Sequence, residues 1–135
     1  IKRVNNGVIQ DRTIYEDVEI FARNLYEMNF MTDRDWRTYK DLFSNMTQYL
    51  QKPDLIIYLR ASTDTLLSRV RNRSRDFERD ISPEYLHSLN ISYEKWINRC
   101  EDFQILIIES DGFNVFKDKE QLNHFLGQIE TSLTK

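Results

Sequence analysis

Glycine is scarce in this 135-residue chain: Gly7, Gly112 and Gly127 are all there is. No G-x-x-x-x-G-K-[ST] loop, the backbone cradle that holds phosphates, can be built from those positions. Any phosphate site must lack that loop, or the loop lies upstream of Ile1. Cysteine is scarcer still. Cys100 alone excludes an intrachain disulfide, and with only two histidines a zinc cluster is excluded as well. A reducing, cytoplasmic setting is therefore expected. No apolar run exceeds about five residues, far short of the ~20 needed for a membrane helix, and no signal peptide is read. No membrane partner is expected. Positive charge is not in excess: 19 Lys and Arg stand against 22 Asp and Glu, for a net charge of -3. That argues against a general nucleic-acid surface.

What is present reads as one globular domain over residues 1–135. The chain is 40% hydrophobic and 30% charged, and at this length about two-thirds of the unfolded surface can be buried. It opens on Ile1, a few residues before an apparent buried strand end, Gly7-Val8-Ile9-Gln10. The chain is thus expected to be the later part of a longer protein.

Asp11-Arg12-Thr13 follows that run. Charged groups at the carboxyl end of a buried strand are where open α/β sheets place ligands, although a turn with a solvated ion pair would read the same. Residues 14–28 predict a helix with an apolar stripe of Ile14, Val18, Phe21, Leu25 and Met28. Asp17 lies one turn before Phe21. The pair is either a core ring beside a surface acid, or a pocket in which the acid accepts hydrogen bonds from an amine-bearing ring that Phe21 stacks on. Thr32 is an expected N-cap, with Asp35 at N3, of a helix over residues 33–51 rich in aromatic positions.

Residues 54–60 form the strongest strand signal, apolar enough to be covered on both faces. A cap at 61–64 and a helix over 65–73 follow. Ser82-Pro83 starts another helix, with Ser as N-cap and Pro at N1. Residues 104–109 predict a second buried strand, 110–116 a loop and 117–132 a last helix. Apolar strands alternating with helices predict an α/β fold with a parallel sheet flanked by helices.

At the far end of the helix over 65–73, and in the loop that follows it, lies the densest cluster of cations. Five arginines, Arg69, Arg71, Arg73, Arg75 and Arg79, fall within residues 69–80. On a helix Arg69 and Arg73 share a face and repel by a few tenths of a kcal/mol, roughly, a penalty that a bound anion would remove. Arginine's planar fork suits phosphate or carboxylate. A solvated helix end screened by Asp76, Glu78 and Asp80 is the plainer alternative.

In sum the segments resemble the later two-thirds of a deoxynucleoside kinase of the deoxyadenosine, deoxyguanosine and deoxycytidine kinase group. The residues that carry the resemblance are Asp11-Arg12-Thr13-Ile14-Tyr15-Glu16-Asp17 with Ile20-Phe21-Ala22, the string Pro53-Asp54-Leu55-Ile56-Ile57-Tyr58-Leu59-Arg60-Ala61-Ser62, Arg69-x-Arg71-x-Arg73-x-Arg75-x-x-Glu78, Tyr85-Leu86-x-x-Leu89, Tyr93-x-x-Trp96 and Phe116-Lys117-Asp118. They cover essentially the whole chain in the family's order.

The resemblance implies a P-loop-kinase-like parallel sheet, truncated at the N-terminus so that the phosphate-binding loop and the carboxylate accepting the 5′-hydroxyl proton lie before Ile1. It implies ATP and Mg²⁺ as cofactors, a homodimer, and transfer of a phosphoryl group to the 5′-hydroxyl of a deoxynucleoside. Residues 1–135 alone are expected to be inactive. Asp11 would help to hold magnesium, and Arg12 would lie near the 5′-hydroxyl. Thr13 replaces the usual Ser but keeps a hydroxyl. Asp17 would face the base and favour deoxyadenosine, deoxyguanosine or deoxycytidine over thymidine, with Phe21 stacking on it. Arg69, Arg73 and Arg75 would close on the ATP phosphates, and Phe116 would lie near the adenine. Phe77 stands where many members carry a second acid, so Glu78 alone would bind the sugar 3′-hydroxyl. Val115 replaces an acid of some relatives in the donor loop.

Two rivals are weighed. A nucleoside monophosphate (thymidylate-like) kinase would need cations around its acceptor, whereas Asp17, Phe21 and Glu78 are acidic and aromatic. A non-catalytic nucleic-acid-binding fragment would need more basic surface than one stretch.

Overall fold

The computed structural model describes residues 7–73 and 81–134. They fall into two compact units, one ending at Tyr49 and the other starting at Leu50.

The first unit is helical. Residues 7–10, expected as a strand end, form no strand: Val8 and Ile9 are 79% and 101% exposed. An apolar run becomes a strand only when a neighbour satisfies its backbone groups, and among the described residues none pairs with it. The predicted helix that follows is interrupted. Helix α1 (Ile14–Glu16) runs into a π-helical segment (Asp17–Ala22) and then α2 (Arg23–Glu27). The wider i→i+5 turn of a π segment shifts the phase of the side chains. The buried positions are therefore Val18, Ile20, Ala22 and Asn24, while Leu25 and Met28, both placed on the predicted stripe, are exposed.

Helix α3 (Asp33–Thr47) begins where its sequence predicts. The Asp35 N–H donates to Thr32 Oγ1 at 3.2 Å, and the Thr32 hydroxyl donates to the Asp35 carboxylate at 2.7 Å. It ends four residues earlier than expected, at Thr47. Its Trp36 closes a core with Val18 and Ala22, and Tyr26, Met31, Tyr39 and Phe43 pack around them. Tyr26 stacks on Trp36 with ring centroids 5.4 Å apart. Leu42 and Met46, on the same helix, are exposed.

The second unit is α/β. Strands β1 (Ile56–Arg60) and β2 (Ile105–Glu109) pair in parallel, from Ile56 with Ile105 to Arg60 with Glu109. The ladder continues at both ends, with Ile56 N–H donating to Gln104 O at 2.9 Å and Ser110 N–H to Arg60 O at 2.8 Å. Between the strands run α4 (Thr63–Arg73) and α5 (Pro83–Arg99), and α6 (Lys119–Leu133) follows β2. Ser82 caps α5, accepting from Tyr85 N–H at 3.1 Å with Pro83 in the first turn. This is the parallel sheet flanked by helices expected from the sequence. Coverage is only partial, since Ile57, Leu59 and Ile107 stay exposed.

Helix α5 is fastened to β1 by polar as well as apolar contacts. Tyr58 is buried and stacks on Tyr93 at 5.9 Å. Its hydroxyl donates to Glu94 at 3.0 Å. Burial pushes the Tyr58 hydroxyl pKa well up, and the Glu94 carboxylate adds to it. Arg60 meets the same carboxylate through Nε at 2.8 Å and a terminal nitrogen at 3.0 Å, and reaches Glu109 of β2 at 3.0 Å. Such a two-pronged pair fixes direction as well as distance. Glu94→Ala leaves a buried hydroxyl and a guanidinium short of partners. Urea unfolding should show a loss of about 1–3 kcal/mol, with Glu94→Gln milder because it keeps an acceptor. A loss below about 0.5 kcal/mol would place the network among exposed pairs of little consequence.

Candidate active site

The residues singled out by sequence divide between the two units. In the first, Thr13 caps α1: its N–H donates to the Glu16 carboxylate at 2.7 Å. That contact turns the chain sharply at Arg12, which adopts φ +62°. A non-glycine residue held there stores roughly 1–3 kcal/mol of strain, a condition that clusters at functional sites. The turn brings the Arg12 guanidinium over the Phe21 ring, 4.7 Å from its centroid. Cation and ring face attract by about 0.5–1 kcal/mol in an exposed setting.

Asp17 and Phe21 both lie on the π segment, where such turns often mark functional sites. Asp17 is exposed and Phe21 half-buried, so a carboxylate and an aromatic face are presented close together. Asp11 is exposed beside Arg12. Phe21 is not among the buried residues Val18, Ala22 and Trp36 that form the core cluster of this unit.

The second unit holds the cations. Arg69 lies on α4 and is engaged by Ser110, just past β2: one terminal nitrogen donates to Ser110 Oγ at 3.2 Å, the other to its carbonyl. Arg73 ends α4 and is exposed. Arg75 and Glu78 lie outside the described residues.

The loop from Ser110 to Asp118 is shaped locally. Gly112 takes φ +71°, a conformation L side chains avoid. Phe113 packs edge-on against Phe125 of α6 at 5.0 Å. The Asn114 N–H donates to Asp118 at 2.7 Å, and the Phe116 N–H donates to Asn114 Oδ1 at 2.9 Å. The outcome is a firm turn that holds Phe116 88% exposed.

Sequence reasoning missed two partners in this unit. Ser110 is buried and its hydroxyl donates to Arg60 O at 2.8 Å. Asp111 accepts from Ser62 N–H at 2.9 Å, at the start of α4. That backbone donor, helped by the Thr65 hydroxyl, holds the Asp111 carboxyl below its ordinary pKa. The signal was available: a polar pair directly after an apolar strand, the same cue that drew attention to Asp11.

Among the described residues no group of three or more His, Cys, Asp or Glu is placed to hold a metal. A lone exposed carboxylate such as Asp11 suits a magnesium ion brought in by a nucleotide, which keeps waters and phosphate oxygens as its other ligands. Among the same residues no helix is long and apolar enough to cross a membrane.

The chain is 41% identical over 116 residues to deoxyadenosine kinase of Dictyostelium discoideum, covering 86% of this chain and 46% of that protein. It is 31% identical over 131 residues to deoxyadenosine/deoxycytidine kinase of Bacillus subtilis, covering 96% and 60%. The structure of M. mycoides deoxyadenosine kinase with bound dATP superposes with a TM-score of 0.72 at 33% identity, over 87% of this chain and 60% of that one. The chain thus spans about half the length of the curated relatives it matches. A profile of the deoxynucleoside kinases matches residues 1–134. With that profile running nearly end to end over a parallel sheet of the same build, the chain belongs to the deoxynucleoside kinase family.

Proposed function

We propose that the protein of which this chain is part transfers the γ-phosphoryl of ATP to the 5′-hydroxyl of a deoxynucleoside, with deoxyadenosine, deoxyguanosine or deoxycytidine preferred over thymidine. The observation that supports this most is the cluster in the first unit. Arg12, turned over Phe21, and Asp17 on the same π segment offer a cation, a ring face and a hydrogen-bond acceptor together. A neutral nucleoside can use all three. A base bearing an exocyclic amine can donate that amine's hydrogen to Asp17, whereas thymine has no exocyclic amine.

The chain's own part in the reaction is positioning and charge. Phosphoryl transfer needs little covalent help from a protein and much orientation. Asp17 and Phe21 fix the base, and Arg12 lies near the 5′-hydroxyl. Arg69, Arg73 and Arg75 answer the negative charge on the phosphates, Phe116 offers a face to the adenine, and Glu78 takes the sugar 3′-hydroxyl. Magnesium, with Asp11 as the carboxylate offered to it, neutralises phosphate charge when bound. The exposed Leu42 and Met46 on α3 support a homodimer.

The test is a panel of deoxynucleosides, with ATP and Mg²⁺, given to the intact protein. The three amine-bearing deoxynucleosides should be phosphorylated in preference to thymidine. Asp17→Ala should lower their kcat/KM by about 100-fold, since a site that reads a substrate amine by a charged hydrogen-bond acceptor loses most of its selectivity when that acceptor is removed. Preference for thymidine would refute the assignment of Asp17. Formation of diphosphate from a deoxynucleoside monophosphate would favour the monophosphate kinase instead.

A further inference from the structure

We propose that Ser110 and Asp111 are positioning residues for the phosphate donor, locking the loop that carries Phe116 onto the helix that carries Arg69 and Arg73. The proposal rests on the kinase reading above. Two separate ties make the lock. At the start of α4, Asp111 accepts from Ser62 N–H at 2.9 Å. Two turns further along α4, Arg69 donates to both the hydroxyl and the carbonyl of Ser110. Ser110 is itself fixed to β1, because its N–H and its hydroxyl both donate to Arg60 O, each at 2.8 Å.

One tie would leave the loop free to pivot. Two ties spaced along one helix remove that freedom, so the loop after β2 and α4 behave as a single body. Phe116 at the far side of the loop and the arginines along α4 then keep a set spacing. A donor nucleotide needs that spacing, because its base and its phosphates are joined by a sugar and must meet both features at once. Pre-set geometry of this kind lowers the ordering entropy lost on binding. Ser110 uses two of the five donors of the Arg69 guanidinium and leaves the rest for an anion. The lock is confined to donor-side features. A nucleoside bound by Asp17 and Phe21 does not depend on it.

The test uses Ser110→Ala, Asp111→Ala and the double variant in the intact protein. ATP affinity is measured by titration calorimetry, alongside kcat and the KM values for ATP and for the deoxynucleoside. The double variant should raise both the ATP Kd and the ATP KM about 10-fold, while the deoxynucleoside KM stays within about two-fold. Asp111→Asn retains an oxygen for the Ser62 N–H and should recover most of the loss due to Asp111→Ala. Equal rises in the two KM values would overturn the proposal by showing general loosening, and an unchanged ATP affinity would overturn it by showing no coupling. If the wild-type protein binds ATP but phosphorylates no deoxynucleoside, the proposed function fails, while calorimetry on the variants still decides the lock.

Discussion

Arg73→Ala in the intact protein should lower kcat about 10³-fold, the scale seen when an arginine facing a transferring phosphoryl group is removed. That corresponds to about 4 kcal/mol in the barrier. The structural consequence of the same change is far smaller. Arg73 is the exposed last residue of α4, where a cation steadies the helix end by about 0.3–1 kcal/mol. The two effects therefore separate by magnitude. Arg71 supplies the control, since it also lies in the last turn of α4 but has no task in the proposed reaction. Arg71→Ala should leave turnover within about three-fold, because surface changes away from special features move stability by at most ~0.5 kcal/mol. Steady-state kinetics on both variants decide the matter. Turnover of the Arg73 variant close to wild type would remove its role at the phosphates.

The largest effect on stability is expected at Trp36. This ring is 8% exposed and lies at the centre of the first unit's core. Tyr26 stacks nearly parallel on it, at an interplanar angle of 12°. Arg23 and Lys40 sit over its ring at 5.8 and 5.3 Å. Trp36→Ala opens a cavity that the other six members of the cluster cannot fill, at a loss of about 3–5 kcal/mol. Most small domains have a stability of only ~5–15 kcal/mol, so much of the margin disappears. Hydrogen exchange would localise the loss to α2 and α3. Protection unchanged in those helices would show that the core lies elsewhere. Trp36→Phe keeps most of the volume and should recover the greater part.

How much of this was legible beforehand depends on the range over which each feature is determined. The caps at Thr32 and Ser82 are set by three or four neighbouring residues, and both were readable. Both strands were readable too, because an unbroken run such as Leu55-Ile56-Ile57-Tyr58-Leu59 has few other homes. The strand read at residues 7–10 failed because pairing depends on a partner that a local pattern does not contain. The π segment defeated the helical stripe, since the 3.6-residue period assumed for it does not hold there. Asp17 and Phe21 were noticed through their spacing, but Arg12 over Phe21 was not, because a positive φ at an arginine has no sequence signature. The ties from Arg60 to Glu94 and from Arg69 to Ser110 join residues 34 and 41 positions apart. Neither partner was read from the sequence, although the polar pair Ser110-Asp111 directly after an apolar strand marked one end of the second tie.

The parallel pairing of β1 with β2 also bears on how fast the second unit can form. The outermost rung, Arg60 with Glu109, joins residues 49 positions apart. Closing an unstructured loop of that length costs about 3.5 kcal/mol before any rung is made. The intervening chain includes two helices of 11 and 17 residues, which form in about a microsecond or less and shorten the search. The encounter of the two strands is then the slow event, and folding of this unit is governed by a long-range collision and not by its helices.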